Sequence, residues 1–341
     1  TGQIAAALAA GNTVVAKAAG ATPLTAMRVV ELLAEAGIPG GAVQFLPGPS
    51  AEIGPAVLGE PRLAGVALTG GTATARAVNR ALAERDGPVL PLIAETGGVN
   101  ALLVDSSALP EQVARDVVRS AFNSAGQRCS ALRVLFVQEE VADTMLDALA
   151  GAVAELRMGD PARLDTDVGP VIEAAARDRL AAHARRLDED ARPIAAAEPA
   201  PEAEQGTFFA PRIYELSGPE ALPDEVFGPI LHVVRYPADG LDRVIAAING
   251  TGYGLTLGVH SRVEDTARRI AERANAGNVY INRDIIGSVV GVQPFGGRGL
   301  SGSGPKAGGP HYLTRFIHEK TVTDNITAVG GNATLLGGRY G

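Results

Sequence analysis

The first 98 residues alternate short apolar runs with segments of helical periodicity, and this alternation limits the folds that the chain can adopt. One helical segment opens at Thr22-Pro23, a typical N-cap and first-turn pair, and stops at Gly37. Strand–helix–strand units of this length form a parallel sheet with helices on both faces. The sequence therefore predicts an α/β fold here, with strands at residues 13–17, 42–46, 65–69 and 89–94.

Ligands bind such sheets beyond the carboxyl ends of the strands, and Lys17, Thr69 and Glu95 lie at these ends. After Thr69 come Gly70, Gly71 and Thr72, where a helix N-terminus offers free N–H groups to a phosphate. Lys17 either extends its ammonium into solvent or hydrogen-bonds a ribose or phosphate. Glu95 either caps the turn through Gly97 or acts as a general base.

Residues 99–296 predict a second α/β unit, and residues 297–341 form a glycine-rich end with one β-like run at 320–327. Domain boundaries are accordingly expected near residues 98 and 296. The stretch 193–205 is rich in Ala, Pro and Glu, which predicts a mobile surface loop.

Composition excludes several functional classes. The net charge of −8 and the lack of a long basic run argue against nucleic acid and anionic membrane surfaces as partners. One cysteine cannot form an internal disulfide, and no apolar stretch reaches the roughly 18 residues of a membrane span. We therefore expect a cytoplasmic protein. Because the sequence opens with Thr1 directly in a helical pattern, we expect it to be a fragment.

Cys129, the single cysteine, lies in a polar, glycine-containing connection between a predicted helix from Pro110 and a predicted strand at 133–138. A cysteine kept for packing would lie inside an apolar run. Arg128 and Ser130 flank it and are suited to stabilise a thiolate. The position of Cys129 alone is equally compatible with an unreactive free thiol in a loop and with a reactive thiol. The carboxylate of Glu95 at a strand end favours the reactive thiol.

Two further patterns carry less weight. Gly297, Gly299 and Gly302 match the spacing of a dinucleotide fingerprint, but no strand precedes them and no helix follows, which favours a glycine-rich loop. The histidines form no metal-like cluster, so no metal site is predicted. Spacing alone leaves a Cys/His protease open, although no His motif supports it.

Taken together, the motifs resemble the aldehyde dehydrogenase superfamily, in the family's order and over most of the chain. The matching pieces are Val14-Val-Ala-Lys17, Leu68-Thr-Gly70, Glu95-Thr-Gly-Gly98, Gly126-Gln-Arg-Cys129, Glu225-Val-Phe-Gly-Pro229 and Pro294-Phe-Gly-Gly297. Residues 124–133, 287–297, 304–310 and 319–332 are similar to the L-glutamate γ-semialdehyde (1-pyrroline-5-carboxylate) dehydrogenases, in particular to the dehydrogenase module of bifunctional proline utilization A proteins.

The resemblance implies a Rossmann-type cofactor domain, an α/β catalytic domain and a C-terminal oligomerisation strand. It implies oxidation of L-glutamate γ-semialdehyde to L-glutamate, with Cys129 as the nucleophile and Glu95 as the base that activates water. The implied cofactor is NAD, with NADP as the alternative, bound by Lys17, Gly54, Thr69, Gly70, Gly71, Thr72, Thr96, Gly97, Glu225 and Phe227. The implied substrate contacts are Arg128, Ser130, Gly287, Ser288 and Phe295.

The implied partners are further copies of the chain, as a homo-oligomer such as a dimer, and a fused or associated proline dehydrogenase module. The alternatives are another aldehyde substrate, thioester transfer to coenzyme A, and a non-catalytic fragment that serves only in assembly.

The sequence also departs from the family pattern. Ala18-Ala19-Gly20 replaces the usual Pro-x-Glu, which removes an acceptor for a ribose hydroxyl and leaves the choice of NAD or NADP open. Gly71 replaces a serine that would contact the pyrophosphate. The family's oxyanion asparagine and a further cofactor-sheet strand would precede Thr1, so we expect an exposed sheet edge.

Overall fold

The computed structural model describes residues 1–199, 203–221 and 224–325. Its helices and strands alternate through most of the chain, as the sequence predicts. The helices are α1 (Gly2–Ala9), α2 (Pro23–Glu35), α3 (Ser50–Gly59), α4 (Thr72–Ala83), α5 (Pro110–Phe122), α6 (Glu139–Ala154), α7 (Ala174–Asp190), α8 (Leu241–Gly250) and α9 (Glu264–Arg273). The strands are β1 (Val14–Ala16), β2 (Val43–Phe45), β3 (Val66–Thr69), β4 (Leu92–Glu95), β5 (Asn100–Val104), β6 (Leu132–Gln138), β7 (Arg192–Ala196), β8 (Arg212–Glu215), β9 (Ile230–Tyr236), β10 (Tyr253–Gly254), β11 (Thr256–His260), β12 (Asn278–Ile281) and β13 (Arg298–Gly299).

The first four strands are parallel, as predicted, but they form two separate pairs rather than one sheet. β1 pairs with β2, and β3 pairs with β4. Each pair is a single strand–helix–strand unit, and no described backbone hydrogen bond joins the two pairs. β1, β2 and β3 each have one edge without a paired strand, in keeping with the exposed edge that we expected, whereas the second edge of β4 is bridged at Glu95 to Gly302.

The second unit contains a seven-stranded sheet in the order β12-β11-β5-β6-β9-β8-β7. Every pairing is parallel except that of β7 with β8. β5, β6, β9 and β11 are almost entirely buried because helices pack on both faces of a parallel sheet. The sequence reading missed β5, although its apolar run ends at a turn that begins with Asp105.

The predicted mobile loop at 193–205 was wrong for its first part. Residues 192–196 form edge strand β7, antiparallel to β8, with a register shift between Pro193 and Ala195. Proline is tolerated at a sheet edge because its missing N–H needs no partner there. Residues 203–205 form a 3₁₀ turn, and the remainder of the predicted loop includes residues 200–202, outside the described residues.

Buried apolar side chains are distributed unequally between the two units. One large cluster fills the space between the seven-stranded sheet and helices such as α5 and α6. The first unit has a small cluster of Ala6, Ile93 and Tyr312. Tyr312 comes from the C-terminal part, so that part of the chain contributes to the core of the first unit.

The glycine-rich end returns to strand β4. Ser301 O accepts a hydrogen bond from Thr96 N at 3.0 Å, and Ala94 N donates to Ser303 Oγ at 2.9 Å. Residues 320–325 of the predicted oligomerisation strand have no helix or strand in the described chain, and residues 326 and 327 lie outside the described residues. That strand and the three-domain division stay predictions. No helix in the described part of the chain is long and apolar enough to cross a membrane.

Candidate active site

Cys129 lies between α5 and β6, in the connection that the sequence predicts. Helix α5 ends at Phe122, and Ser124, Ala125 and Gly126 then all adopt left-handed backbone angles, with φ of 56°, 54° and 65°. A Cβ at Gly126 would overlap the carbonyl oxygen of Gly228 and lie 2.9 Å from that of Ala121. Only glycine fits there, so this turn brings the Cys129 loop into direct backbone contact with residue 228.

The Cys129 thiol is mostly enclosed, and this burial raises its pKa. The negative charges of Glu95 and Glu225 raise this pKa further, while the backbone N–H groups of Ser130 and Cys129 oppose the rise. The thiol is therefore largely protonated at neutral pH and needs a base to become a nucleophile.

Arg128 hydrogen-bonds the turn that precedes Cys129. Its guanidinium donates to Ser124 Oγ at 3.1 Å and to Asn123 Oδ1 at 3.1 Å, so it stabilises the left-handed turn. Ser130 is buried, and its backbone carbonyl accepts a hydrogen bond from Thr256 Oγ1 at 3.2 Å. The backbone N–H of Ser130 lowers the pKa of the thiol, whereas the Arg128 guanidinium is hydrogen-bonded to Ser124 and Asn123, and the roles expected for both neighbours stay predictions.

Glu95 ends β4 with both carboxylate oxygens buried and without a hydrogen-bond partner in the described chain. Residues 296–303, here called the return segment, enclose it: a Cβ at Gly296 would lie 3.1 Å from Oε1, and one at Gly302 would lie 3.3 Å from Oε2. Burial raises the pKa of Glu95 to about 7, while the Gly297 backbone and the Lys306 ammonium partly oppose the rise. A buried carboxyl that titrates near neutrality is suited to general-base catalysis.

Asn100, which the sequence analysis did not single out, holds the Cys129 loop. Its Nδ2 donates to Cys129 O at 2.7 Å and to Ala131 O at 2.8 Å, and its Oδ1 accepts from Thr256 N at 3.1 Å. The side chain is 2% exposed. The sequence feature that could have revealed Asn100 is a polar amide at the start of an apolar run, because a buried amide needs a hydrogen-bond partner for every polar atom.

Glu225 and Phe227 lie beside the Cys129 loop, together with the turn after Glu95. Gly98 N donates to Glu225 Oε1 at 2.9 Å, and a Cβ at Gly97 would overlap the same carboxylate. The Phe227 ring, 46% exposed, lies 5.1 Å from the guanidinium of Arg133. The structure thus brings Glu95, Gly97, Cys129, Glu225 and Phe227 to one place.

The other predicted cofactor residues lie at the carboxyl ends of the first-unit strands, except Gly54, which lies within α3. Lys17 donates to the hydroxyl of Ser50, the first residue of α3, at 2.6 Å. A Cβ at Gly54 or Gly71 would meet nothing within 4 Å, and neither α3 nor α4 has a side-chain cap. These open glycines beside uncapped helix N-termini fit a dinucleotide pyrophosphate.

Three predicted cofactor residues already have internal partners, and a fourth is bonded through its backbone. The hydroxyl of Thr69 accepts from Gln3 Nε2 at 3.1 Å, and Gly70 N donates to Glu95 O at 3.0 Å. The hydroxyls of Thr72 and Thr96 both donate to Leu300 O. These two threonines therefore attach the return segment to the first unit.

The predicted substrate loop is held by its own hydrogen bonds. Gly287 has φ of 70°, and Ser288 Oγ donates to Gln293 O at 3.1 Å and lies 3.2 Å from the Tyr280 hydroxyl. Phe295 pairs with Ala307 through two backbone hydrogen bonds of 3.0 and 2.8 Å. No group of three or more metal-binding side chains occurs among the residues that the structure describes.

The aldehyde dehydrogenase family model matches residues 1–322. The chain belongs to the aldehyde dehydrogenase family. The family match confirms the family resemblance and the α/β fold class that the motifs predicted. The aldehyde dehydrogenase fold accounts for the mostly parallel seven-stranded sheet of this chain.

Two curated relatives of this aldehyde dehydrogenase chain show the range of similarity. It is 54% identical over 325 residues to the Bifunctional protein PutA of Escherichia coli (strain K12), covering 93% of this chain and 25% of that protein. It is 36% identical over 334 residues to the 1-pyrroline-5-carboxylate dehydrogenase of Bacillus cereus (strain ATCC 10987 / NRS 248), covering 95% of this chain and 63% of that protein. The chain thus spans less than two thirds of these relatives.

Solved structures give the same picture. A Bradyrhizobium japonicum proline utilization A (PutA) mutant superposes with a TM-score of 0.92 at 59% identity, covering 96% of this chain and 33% of that one. A 1-pyrroline-5-carboxylate dehydrogenase from Thermus with bound NAD superposes with a TM-score of 0.87 at 33% identity, covering 93% of this chain and 61% of that one.

Proposed function

We propose that this aldehyde dehydrogenase chain oxidises L-glutamate γ-semialdehyde to L-glutamate with a nicotinamide dinucleotide, as the second step of proline breakdown. The observation that carries the proposal is the buried Glu95 carboxylate, with its pKa raised to about 7, beside the single thiol of the chain. The names of the relatives, 1-pyrroline-5-carboxylate dehydrogenase and PutA, support the choice of substrate.

The first step is activation of the thiol. Glu95 is half ionised near pH 7 and can accept the Cys129 proton, directly or through a water. The thiolate then adds to the aldehyde carbon, and the carbonyl oxygen takes the proton held by Glu95 to become the hydroxyl of a thiohemiacetal. The N–H groups of Ser130 and Cys129 point toward the sulfur and favour its ionised form.

The residues around Cys129 fit a dinucleotide. When bound, a dinucleotide would supply its nicotinamide ring as the hydride acceptor. Loss of the hydride from the thiohemiacetal carbon and of the hydroxyl proton to solvent would leave a thioester on Cys129. We propose that Glu225 and Phe227 contact the nicotinamide ribose and ring, and that Gly97 lets the backbone lie close to both. Lys17, Gly54 and Gly71 would contact the ribose and pyrophosphate at the far end. NAD is the favoured dinucleotide, with NADP as the alternative.

Hydrolysis of the thioester regenerates the enzyme. Ionised Glu95 takes a proton from water, the hydroxide adds to the thioester carbon, and the carbon–sulfur bond breaks to release the Cys129 thiolate and a carboxylic acid, which loses its proton to solvent. For the semialdehyde, we propose that Ser130, Gly287 and Ser288 bind the α-carboxylate of the substrate and that Phe295 packs on its aliphatic stem.

The test follows NAD(P)H absorbance with the semialdehyde, with propanal and without aldehyde, for the wild type, Cys129→Ala and Glu95→Gln. We expect Cys129→Ala to abolish turnover and Glu95→Gln to lower kcat by about 100-fold or more. Exposed Ser106→Ala serves as a control that leaves kcat unchanged. Turnover retained in Cys129→Ala, or equal kcat/KM for semialdehyde and propanal, would overturn the proposal.

We also propose a cytoplasmic homo-oligomer that works with a fused or associated proline dehydrogenase module. The support is the word bifunctional in the relatives' names and the β-like run that starts at Lys320. Sedimentation of the chain as a monomer at micromolar concentration would contradict the oligomer.

A further inference from the structure

Arg133 is a fully buried cation that the reaction scheme leaves without a role. Its side chain is 1% exposed, yet it forms no ion pair with any carboxylate in the described chain. A buried charge of this kind is costly unless donors and acceptors compensate it. Its function must therefore be sought in the groups that its guanidinium contacts.

The acceptors of Arg133 are three backbone carbonyls from two separate segments. Its Nη1 donates to Gly126 O at 2.7 Å and to Gly228 O at 3.1 Å, and its Nη2 donates to Arg128 O at 3.0 Å. Gly126 and Arg128 belong to the loop that carries Cys129. Gly228 follows Phe227, whose ring covers the guanidinium at 5.1 Å.

Gly228 O also accepts from Ile230 N at 2.9 Å and Arg128 O from Ala131 N at 3.1 Å, so among the described residues Gly126 O is the carbonyl whose hydrogen bond comes from Arg133 alone. The left-handed turn at 124–126 takes Gly126 out of helix and strand, and a buried carbonyl without a partner is unfavourable. The flat guanidinium can serve several acceptors at fixed angles, whereas a lysine ammonium is a point charge on a flexible stem. Arg133 therefore fixes distances that a lysine would not.

The charged and titratable groups that face Arg133 are few. Glu225 and Cys129 act on its charge, and His232, whose Nδ1 lies 3.0 Å from Arg133 O, is held neutral by burial, which lowers its pKa to about 4. The pKa of Arg133 falls to about 10, so the guanidinium remains charged at neutral pH.

We infer that Arg133 is a positioning residue that fixes the Cys129 loop against residues 225–228. It thereby holds the Cys129 thiol at a constant distance and orientation from Glu225 and Phe227, the proposed dinucleotide contacts. The inference rests on the proposed function for the meaning of that placement. The expected effect of Arg133 on the thiol is independent of the proposed function, because it is measurable without substrate.

The test uses the full chain with Arg133→Lys, which keeps the charge, and Arg133→Gln, which keeps two N–H donors without charge. Arg235→Gln is the matched control, because Arg235 lies on β9 and pairs with Glu215 and Asp143 instead of active-site carbonyls. Because Cys129 is the only cysteine, the rate of alkylation by iodoacetamide as a function of pH reports on this thiol alone.

We expect the pH midpoint of alkylation to rise in Arg133→Gln, since a cation favours a nearby thiolate, and to rise less in Arg133→Lys. We expect kcat to fall about ten-fold in Arg133→Lys and about 100-fold in Arg133→Gln, with a higher KM for NAD, because small displacements of reacting groups are expensive. A purely structural arginine would lower thermal stability in both variants and leave the alkylation profile like that of Arg235→Gln.

Folded Arg133 variants with wild-type alkylation profiles would overturn the inference. If neither variant folds, Phe227→Leu tests the coupling between residues 225–228 and the Cys129 loop, because the exposed Phe227 ring can be removed while Arg133 stays. A changed alkylation rate at Cys129 then supports the coupling, and an unchanged rate overturns it. Absence of semialdehyde turnover in the wild type would overturn the proposed function only, and the alkylation comparison would still decide the role of Arg133.

Discussion

Burial raises the pKa of Glu95, and one neighbouring cation limits the rise. The carboxyl is enclosed by Gly296 and Gly302, which raises its pKa to about 7. The Lys306 ammonium, which donates to Gly277 O and Pro294 O, acts in the opposite direction. A base of this kind works only when ionised, so the rate of hydrolysis should rise with pH through about 7.

Lys306→Met removes the opposing charge, and the pKa of Glu95 then moves further above 7. We expect the rising limb of kcat to shift to higher pH in Lys306→Met and to stay in place in Lys306→Arg, which keeps the charge. Lys320→Met, at an exposed lysine, controls for the loss of a charge elsewhere. The pH profile of kcat is the measurement, and identical limbs for Lys306→Met and wild type would contradict the electrostatic role.

Some residues of the site were accessible to sequence reasoning, and others were not. Glu95 and Cys129 could be found because a carboxylate at a strand end and a lone thiol in a polar loop are unusual choices for packing. The role of Asn100 required knowing that its amide meets the carbonyls of Cys129 and Ala131. Arg128 and Arg133 could not be ranked from the sequence, since only the left-handed turn at 124–126 decides which one turns inward.

The same distinction applies to whole elements. Helix α5 and strand β6 followed from apolar periodicity and a proline at the first helical position. Strand β7 did not, because Pro193 and a charged neighbourhood are typical of a loop, and its edge position becomes visible only in the sheet. The split of the first four strands into two pairs was also hidden, since periodicity does not tell which strand edges meet.

The turn after α5 is the element on which the Cys129 loop depends, and Gly126 tests it. Gly126→Ala adds a Cβ at φ of 65° that overlaps the Gly228 carbonyl oxygen. We expect a loss of about 3 kcal/mol in the free energy of unfolding, measured by urea denaturation, from strain and overpacking together.

Gly151→Ala is the matched control for this turn. Gly151 lies within α6, where a Cβ would meet nothing within 4 Å. We expect this variant to be more stable than wild type by about 0.5–1 kcal/mol, because alanine favours helix. Equal effects of the two substitutions would show that the turn is not strained against residue 228.

At the scale of the whole molecule, the two units differ in how much apolar surface they bury. Helices α2 and α3 contain no fully buried residue, and Leu24 on α2 is 75% exposed. By contrast, Leu102, Leu135 and Val233 in the seven-stranded sheet are completely buried. Local opening costs least where few apolar contacts hold a segment, so the first unit should open before the second.

Hydrogen exchange measured by mass spectrometry tests this order of opening. We expect amides of β1 to β4 to exchange much faster than those of β5, β6 and β9, because local opening exposes the two small sheets of the first unit without unfolding the seven-stranded sheet. Saturating NAD, which we propose binds at the ends of β1 and β3, should slow exchange in the first unit by up to about 100-fold at 100 times its Kd and leave the large sheet nearly unchanged. Uniform protection across both units without NAD would contradict the difference in local stability, and protection by NAD confined to the second unit would contradict the proposed cofactor site.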